Sequence, residues 1–388
     1  MTLNRTAMQL PKERLVEALK EAIEQKKEIL QEREKEYGAN RVGIVSYGEN
    51  LYMPGTFGFE MKDFYTDPHL AVEMSLRSKL FWLQNSKDDC LPSLDIGPCN
   101  SMYYDMTLFG QELTYTPDGV PNFQPHPLQE KADLSLIRPF DFYRTGEMPM
   151  VLSQYEQMKK IVKEEYDDCL TCNFPGFSRG PLDLLVQLRG YENFVMDTIE
   201  NPSFIQEALL YFVEERARFR KESAAYLGEG VPMERIWIAD DWVNIPFISP
   251  DFFEEYVVPA YLRIQELEGP VVDFHTCGRM EPLCKTLSGI FPSIRNWDIS
   301  GWNNLTVVDE ALPRKNGFNV NFINSFVLTA SAEEQKKKLL EVKKVSEHRI
   351  LCVTAQSIVK LLPTLDETFE KMNDFIDLAR NTLAGKEA

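Results

Sequence analysis

Asp240, Asp241, His275, Cys277 and Asp298 carry the side chains best suited to chemistry, and each directly follows or ends a run that reads as a short strand. The central stretch is VVDFHTCGRM, from Val271. Side chains at i and i+2 of a strand point to the same side, so His275 and Cys277 face one point just past the strand end. Imidazole nitrogen and thiolate sulfur together suit zinc. A single His-x-Cys supplies too few ligands for a zinc site, and the pair equally fits a buried cysteine beside a hydrogen-bonded histidine. Gly278 lets the backbone turn sharply straight afterwards.

A repeating pattern must position these residues. From Asp168 onward, apolar runs of about five residues alternate with helical stretches of about ten to twenty. DCLTCNF from Asp168, RIWIA from Arg235, the run Pro270 to Phe274, Ile294 to Trp297, Gly317 to Phe322 and RILCV from Arg349 read as strands. RVGIVS from Arg41 and the segment Asp88 to Gly97 add two more. Strand–helix alternation implies a parallel sheet. Roughly eight strands suit a (β/α)8 TIM-type barrel, whose catalytic groups sit at the C-terminal strand ends. A doubly wound open sheet is the competing arrangement, but neither GxGxxG nor GxxxxGK[ST] follows any strand.

Residues 1–40 read as a helical extension and residues 41–388 as the barrel. Leu15, Leu19, Ile23 and Leu30 form the stripe of an amphipathic helix from Leu10 to Tyr37, stopped by Gly38 and Asn40. Asp67-Pro68 starts a helix, and Ser249-Pro250 caps another. Asp67-x-His69 is half of a corrinoid-binding DxHxxG pattern, but Val72 stands at its glycine position. The Pro- and Gly-punctuated segment from Phe109 to Pro127, which includes Asp118, reads as a hairpin or long surface loop. Cys169-x-x-Cys172 lies on a strand pattern, where i and i+3 face opposite sides, so the pair reads as structural.

Composition narrows the partners. The 388 residues carry a formal charge of −18, which disfavours nucleic acid and anionic membranes. No apolar run approaches the roughly 18 residues of a membrane span. Met1 to Gln9 shows no apolar signal core, and seven cysteines, Cys99 among them, are scattered without a framework. Both features suggest a reducing cytoplasm. With only four histidines, His69, His126, His275 and His348, few acid–base or metal schemes are open.

Three runs, IADDWVNIPFISPDFFEEYVVPAY, VVDFHTCGRMEPL and IRNWD, resemble the uroporphyrinogen decarboxylase superfamily, as does PGFSRGPLDLLVQLRGYENFVMDTIENP. The resemblance spans roughly Tyr65 to Leu383 and implies the same barrel. The superfamily's true decarboxylases bind a tetra-acidic porphyrinogen without a metal, using an arginine-rich N-terminal motif that has no counterpart near Arg41 to Tyr52. Its zinc methyltransferases carry His-x-Cys at this strand and a third cysteine near the last strand. On that branch, His275 and Cys277 are metal ligands and Cys352 is the candidate third. The expected Gly-Cys-Gly-like loop reads VTAQSI here, so Gln356, Asp240 or Asp298 are alternatives. The branch moves methyl groups between a small donor or acceptor and the cobalt of a corrinoid carried by a separate protein. In that scheme Asp240, Asp241 and Asp298 orient groups or donate protons. Trp242, Trp297 and Trp302 line a pocket for an aromatic methyl ether. A metal-independent decarboxylase and a non-catalytic binding barrel are the alternative readings.

Overall fold

The computed structural model describes residues 2–38, 42–48, 52–98, 104–117, 119, 121–137, 141–228, 235–358 and 362–385. Asn40, Arg41, Cys99 and Asp118, all named above, lie outside the described residues. The strands are β1 (Gly43–Gly48), β2 (Asp95–Ile96), β3 (Glu112–Thr114), β4 (Asn122–Gln124), β5 (Thr171–Cys172), β6 (Ile236–Ala239), β7 (Val271–His275), β8 (Asn296–Ser300), β9 (Gly317–Ile323) and β10 (Leu351–Ile358).

The fold is a (β/α)8 barrel. Apart from β3 and β4, which pair as an antiparallel hairpin, every paired strand runs parallel to its neighbour. One ladder runs β1–β10–β9–β8, and β2–β5 and β6–β7 form two more. Beyond β5 the chain reaches β6 through Ala239, whose N–H donates to the Ser178 carbonyl (2.9 Å), while Gly180 N–H donates to the Ala239 carbonyl (2.7 Å).

Strand alternation divides the wall into two faces. Trp297, Ile299, Phe318, Val320 and Val353 turn outward and are buried. The inner face is polar. Asn319 Nδ2 donates to Asp298 Oδ1 (3.0 Å), as does Asn321 Nδ2, and Thr354 Oγ1 donates to Asn319 Oδ1 (2.6 Å). Barrels of this class usually fill their interior with layers of branched apolar side chains. Here part of the lumen is lined instead by short amides, carboxylates and hydroxyls.

Several bounds differ from the sequence expectation. The last strand does not end near Val353: β10 continues through VTAQSI to Ile358. Polar residues suggested a loop, but a polar lumen lets alternation persist, with Thr354 and Gln356 both buried. The strand expected from Asp168 shortens to β5, because Asp167 and Asp168 hold left-handed φ values of 49° and 56°. Cys169 and Cys172 are free thiols.

Helices follow their local signals. Asp67 caps the helix Pro68–Asn85, accepting from the His69 and Leu70 N–H groups, so Asp67-x-His69 marks a helix start. Ser249 Oγ accepts from Phe252 N–H (3.1 Å). A π-turn at Phe253–Val257 then precedes Pro259, which has no N–H to give. The helix Leu15–Tyr37 packs on the barrel through buried Leu15 and Leu19. It is also tied by Lys26, whose buried Nζ donates to Ser86 O (3.1 Å) and Asp88 Oδ1 (3.3 Å). Among the described residues no helix is long and apolar enough to cross a membrane.

Candidate metal centre at the barrel mouth

His275 is the last residue of β7 and Cys277 stands two residues on, so the same-side expectation is met: His275 Nε2 lies 3.2 Å from Cys277 Sγ. The third member comes from the end of β6. Asp241 Oδ1 is 3.6 Å from His275 Nε2 and accepts from the Cys277 backbone N–H at 2.9 Å. One potential ligand atom from each of Asp241, His275 and Cys277 lies within 4.8 Å of the others. Nitrogen, sulfur and carboxylate oxygen converging this closely is a donor set that fits zinc.

The imidazole is held from behind. Its Nδ1 pairs with Asp298 Oδ2, and Asp298 is itself fixed by the two asparagine amides. A metal-ligating histidine characteristically has its second nitrogen anchored this way. Burial works against a charged ring, but the Asp298 and Cys277 partners outweigh it and lift His275 to about 10. Burial pushes the Cys277 thiol up and the Asp241 charge adds to this, while His275 pulls it down.

Adjacent Asp240 and Asp241 have opposite surroundings because they alternate off the end of one strand. Asp241 is half exposed. Asp240 is fully buried and accepts from the Leu182 N–H (3.3 Å), the Asp183 N–H (2.8 Å) and the Tyr261 hydroxyl (2.9 Å). It thus serves the start of the helix Pro181–Arg189 and is shut away from the mouth. Burial, with Asp183 nearby, raises its carboxyl well above the ordinary range. Gly180 is required beside it, since a Cβ there would meet the Asp240 carboxylate at 2.2 Å.

Cys352 does not join the group. It is the second residue of β10, near the strand's N-terminal end, in register with Asn319 and Gly43. Burial and the nearby Asp89 push its thiol up to about 11. Gln356 lies four residues further along β10. Cys284 is buried in the helix Cys284–Ile290. Gly278 is needed for a different reason than the one expected. Its φ is not left-handed; instead, a Cβ there would meet the Asn244 side chain at 2.1 Å.

The three tryptophans do not form one pocket. Trp297 is 1 % exposed and faces outward, which follows from its being next to inward-facing Asp298. Trp302 is exposed and lines a small crevice with Phe326 and Lys338. Trp242 stacks on Tyr191, with ring centroids 5.0 Å apart.

Two cavities open along the lumen, and only the first reaches a residue of the metal group. One of about 320 Å³ is lined by Asp105, Phe177, Arg179, Asp183, Trp237 and Asp241, among others. The other, about 370 Å³, is bounded by Trp237, Asp273, Asn296, Asp298 and Asn319. Arg179 Nε donates to Asp105 Oδ2 (3.0 Å), and its Nη1 pairs with Asp183. Burial raises Asp183 to about 6 despite Arg179, and Asp241 adds to the rise. Sequence reasoning missed Asp105, Arg179, Asp183 and Trp237. Arg179 and Asp183 are a local i,i+4 pair, and Asp105 joins them only through long-range folding. Trp237 could have been found, because it alternates onto the same face as Ala239 and Asp241.

Residues 99–305, just over half of the chain, match the family described as uroporphyrinogen decarboxylase (URO-D). No curated protein matches the sequence. Among solved structures, a methyltransferase from Methanosarcina mazei is similar, with a TM-score of 0.60 over 87% of this chain and 94% of that one. The two sequences are 16% identical, so that likeness concerns the fold alone.

Proposed function

The chain belongs to the uroporphyrinogen decarboxylase family, and from that membership we propose a zinc-dependent methyltransferase. It would move a methyl group between a small donor or acceptor and the cobalt of a corrinoid on a separate protein. The observation that carries this reading is the convergence of Asp241, His275 and Cys277 at the C-terminal ends of two neighbouring strands. That the similar solved structure is a methyltransferase supports it.

Asp241, His275 and Cys277 would hold the ion. Zinc, when bound, supplies a Lewis acid with an open position toward the oxygen or sulfur that carries the methyl group. Asp298 orients the imidazole, and Asn319 with Asn321 holds Asp298. Asp240 anchors the turn from which Asp241 projects, by bonding to the helix start and to Tyr261.

The family's namesake reaction on a polyacid fits this lumen less well. Asp105, Asp183, Asp241, Asp273 and Asp298 line the two cavities, and Arg179 and Arg235 are already engaged with Asp105, Asp183 and Asp273. A polyanion would be repelled there. The test is metal content together with methyl transfer to free cob(I)alamin from a panel of methoxybenzenes, methanol, methylamines and methylthiols. The expected result is one zinc per chain and transfer from at least one donor. A chain that binds no zinc and transfers no methyl group from any of them refutes the reading.

A further inference from the structure

The strand β6 is fully laddered on one side only. Its four residues pair with β7, but on the side toward β5 a single bridge, Arg179 with Ala239, joins it to the wall among the described residues. The next ladder step below that bridge would link Gly176 O to the Trp237 N–H and Trp237 O to the Ser178 N–H. Both carbonyls are taken by side chains instead. Gly176 O accepts from the Tyr104 hydroxyl (2.9 Å), and Trp237 O accepts from Arg216 Nη2 (2.9 Å). Pro175, just before, has no N–H to offer. A seam therefore runs down the wall between residues 174–177 and the foot of β6.

A cavity lies on each side of the seam. Outside, one of about 680 Å³ is walled by Phe174, Phe219, Leu227 and Leu267 and runs along the helix Pro202–Leu227. Inside is the 320 Å³ cavity that reaches Asp241. The two share Gly176, Phe177 and Arg220, so they meet at the seam. Gly176 brings no side chain to close it, and Arg220 is drawn to Glu268 (3.1 Å). Apart from exposed Lys221, the charged groups of the outer cavity stand in ion pairs: Arg218 with Glu215, Glu214 with Arg263, and Arg220 with Glu268. Apolar walls and paired charges suit a small uncharged molecule rather than an ion.

We propose that the seam is a lateral entrance: a small uncharged molecule passes from the outer cavity, between Phe177 and the Arg220–Glu268 pair, to the Asp241 side of the metal group. The C-terminal mouth then stays free for a macromolecular carrier. That a carrier covers the mouth rests on the methyltransferase reading; the seam does not.

The test is the access of a small uncharged reagent, methyl methanethiosulfonate, to the inner cavity of the full-length zinc-loaded protein. Ser178 lines that cavity, is half-buried and stands outside the metal group, so Ser178→Cys supplies a reporter thiol of nearly the same size. Its modification rate is read by peptide mass spectrometry beside that of the exposed Cys169. Ala217 lines the outer cavity and not the inner one. Added to Ser178→Cys, Ala217→Trp should slow the reporter roughly ten-fold or more and Ala217→Ser should leave it within about two-fold, with Cys169 unchanged throughout. A reporter that reacts as fast with Ala217→Trp as without it overturns the proposal, since the reagent then arrives by the mouth or the foot of the barrel. A reporter that does not react in the otherwise unaltered chain overturns it too, as does equal slowing by Ala217→Ser. Should Ala217→Trp fail to fold by thermal melt, Ala224→Trp, on an exposed part of the same wall, takes its place. Metal and methyl transfer play no part in the readout, so failure here leaves the zinc reading intact. A zinc-free chain with the expected rates refutes the zinc reading and leaves the entrance.

Discussion

Two aspartates one residue apart show how far a residue's meaning depends on its face. Asp241 reaches His275 and Cys277, whereas Asp240 is buried under a helix start. Cys277→Ser and Asp241→Ala should each lose zinc while the fold persists, since both lie on exposed turns at the mouth. Metal analysis beside a thermal melt checks this; full zinc occupancy in Cys277→Ser would falsify the assignment. Asp298→Asn should weaken zinc binding roughly ten- to a hundred-fold, the usual effect of losing the group that orients a ligating histidine. Asp240→Asn should instead act mainly on the fold, lowering the melting temperature and weakening zinc binding less than Asp241→Ala does. His275 and Cys277 were readable because their spacing alone puts them on one side. Asp241 was named, but as a residue that orients a zinc-bound group or donates a proton rather than as a ligand, and the tryptophans were grouped by proximity in sequence. Alternation would have separated Trp297 from Asp298 and brought forward Trp237. In the Asp105–Arg179–Asp183 cluster only the i,i+4 spacing of Arg179 and Asp183 was a local signal, since Asp105 and Arg179 are 74 residues apart.

At the scale of elements, the helical stretches and most strands were readable from periodicity and caps. The exceptions have physical causes: a polar lumen disguised β10 as a loop, and two left-handed aspartates shortened β5. The foot of β10 depends on Arg349, which is buried and lies over the Phe318 ring at 4.4 Å. Its guanidinium donates to the carbonyls of Pro313 (2.7 Å), Asn316 (2.9 Å), Asp309 (2.7 Å) and Leu312 (2.8 Å) and to the Asp309 carboxylate. Arg349→Met leaves that carboxylate without its main buried partner and should cost about 3–5 kcal/mol in urea unfolding. Burial alone would raise the Asp309 carboxyl, but Arg349 and His348 outweigh it and hold it below the ordinary range. A depressed folded value means that Asp309 stabilises the fold above its unfolded value, near about 4, and loses that effect as pH falls through the folded one. Unfolding free energy measured from about pH 5 down to about pH 2 should therefore fall less steeply in Asp309→Asn than in the unaltered protein.

For the molecule as a whole, the acidic balance and the strand–helix rhythm were informative, while the way the N-terminal helix attaches was not. That helix is fastened by a buried lysine–aspartate pair as well as by its apolar stripe. Lys26→Met should destabilise the protein, because Asp88 would keep its burial without its cation; a melting temperature equal to that of the unaltered chain would count against this account. If methyl transfer uses a corrinoid held on another protein, the purified chain should carry none in stoichiometric amount through gel filtration. The two-faced end of β6 also bears on how this sequence can change by descent. Deleting one residue within Ile236–Ala239 would exchange the duties of the two aspartates, presenting the helix anchor to the lumen and burying the metal-facing acid. Sequence length in β6 is therefore under tighter constraint than residue identity. Lineages that vary this barrel should accumulate insertions and deletions elsewhere, in connections such as the β3–β4 hairpin, and keep the count across β6 unchanged.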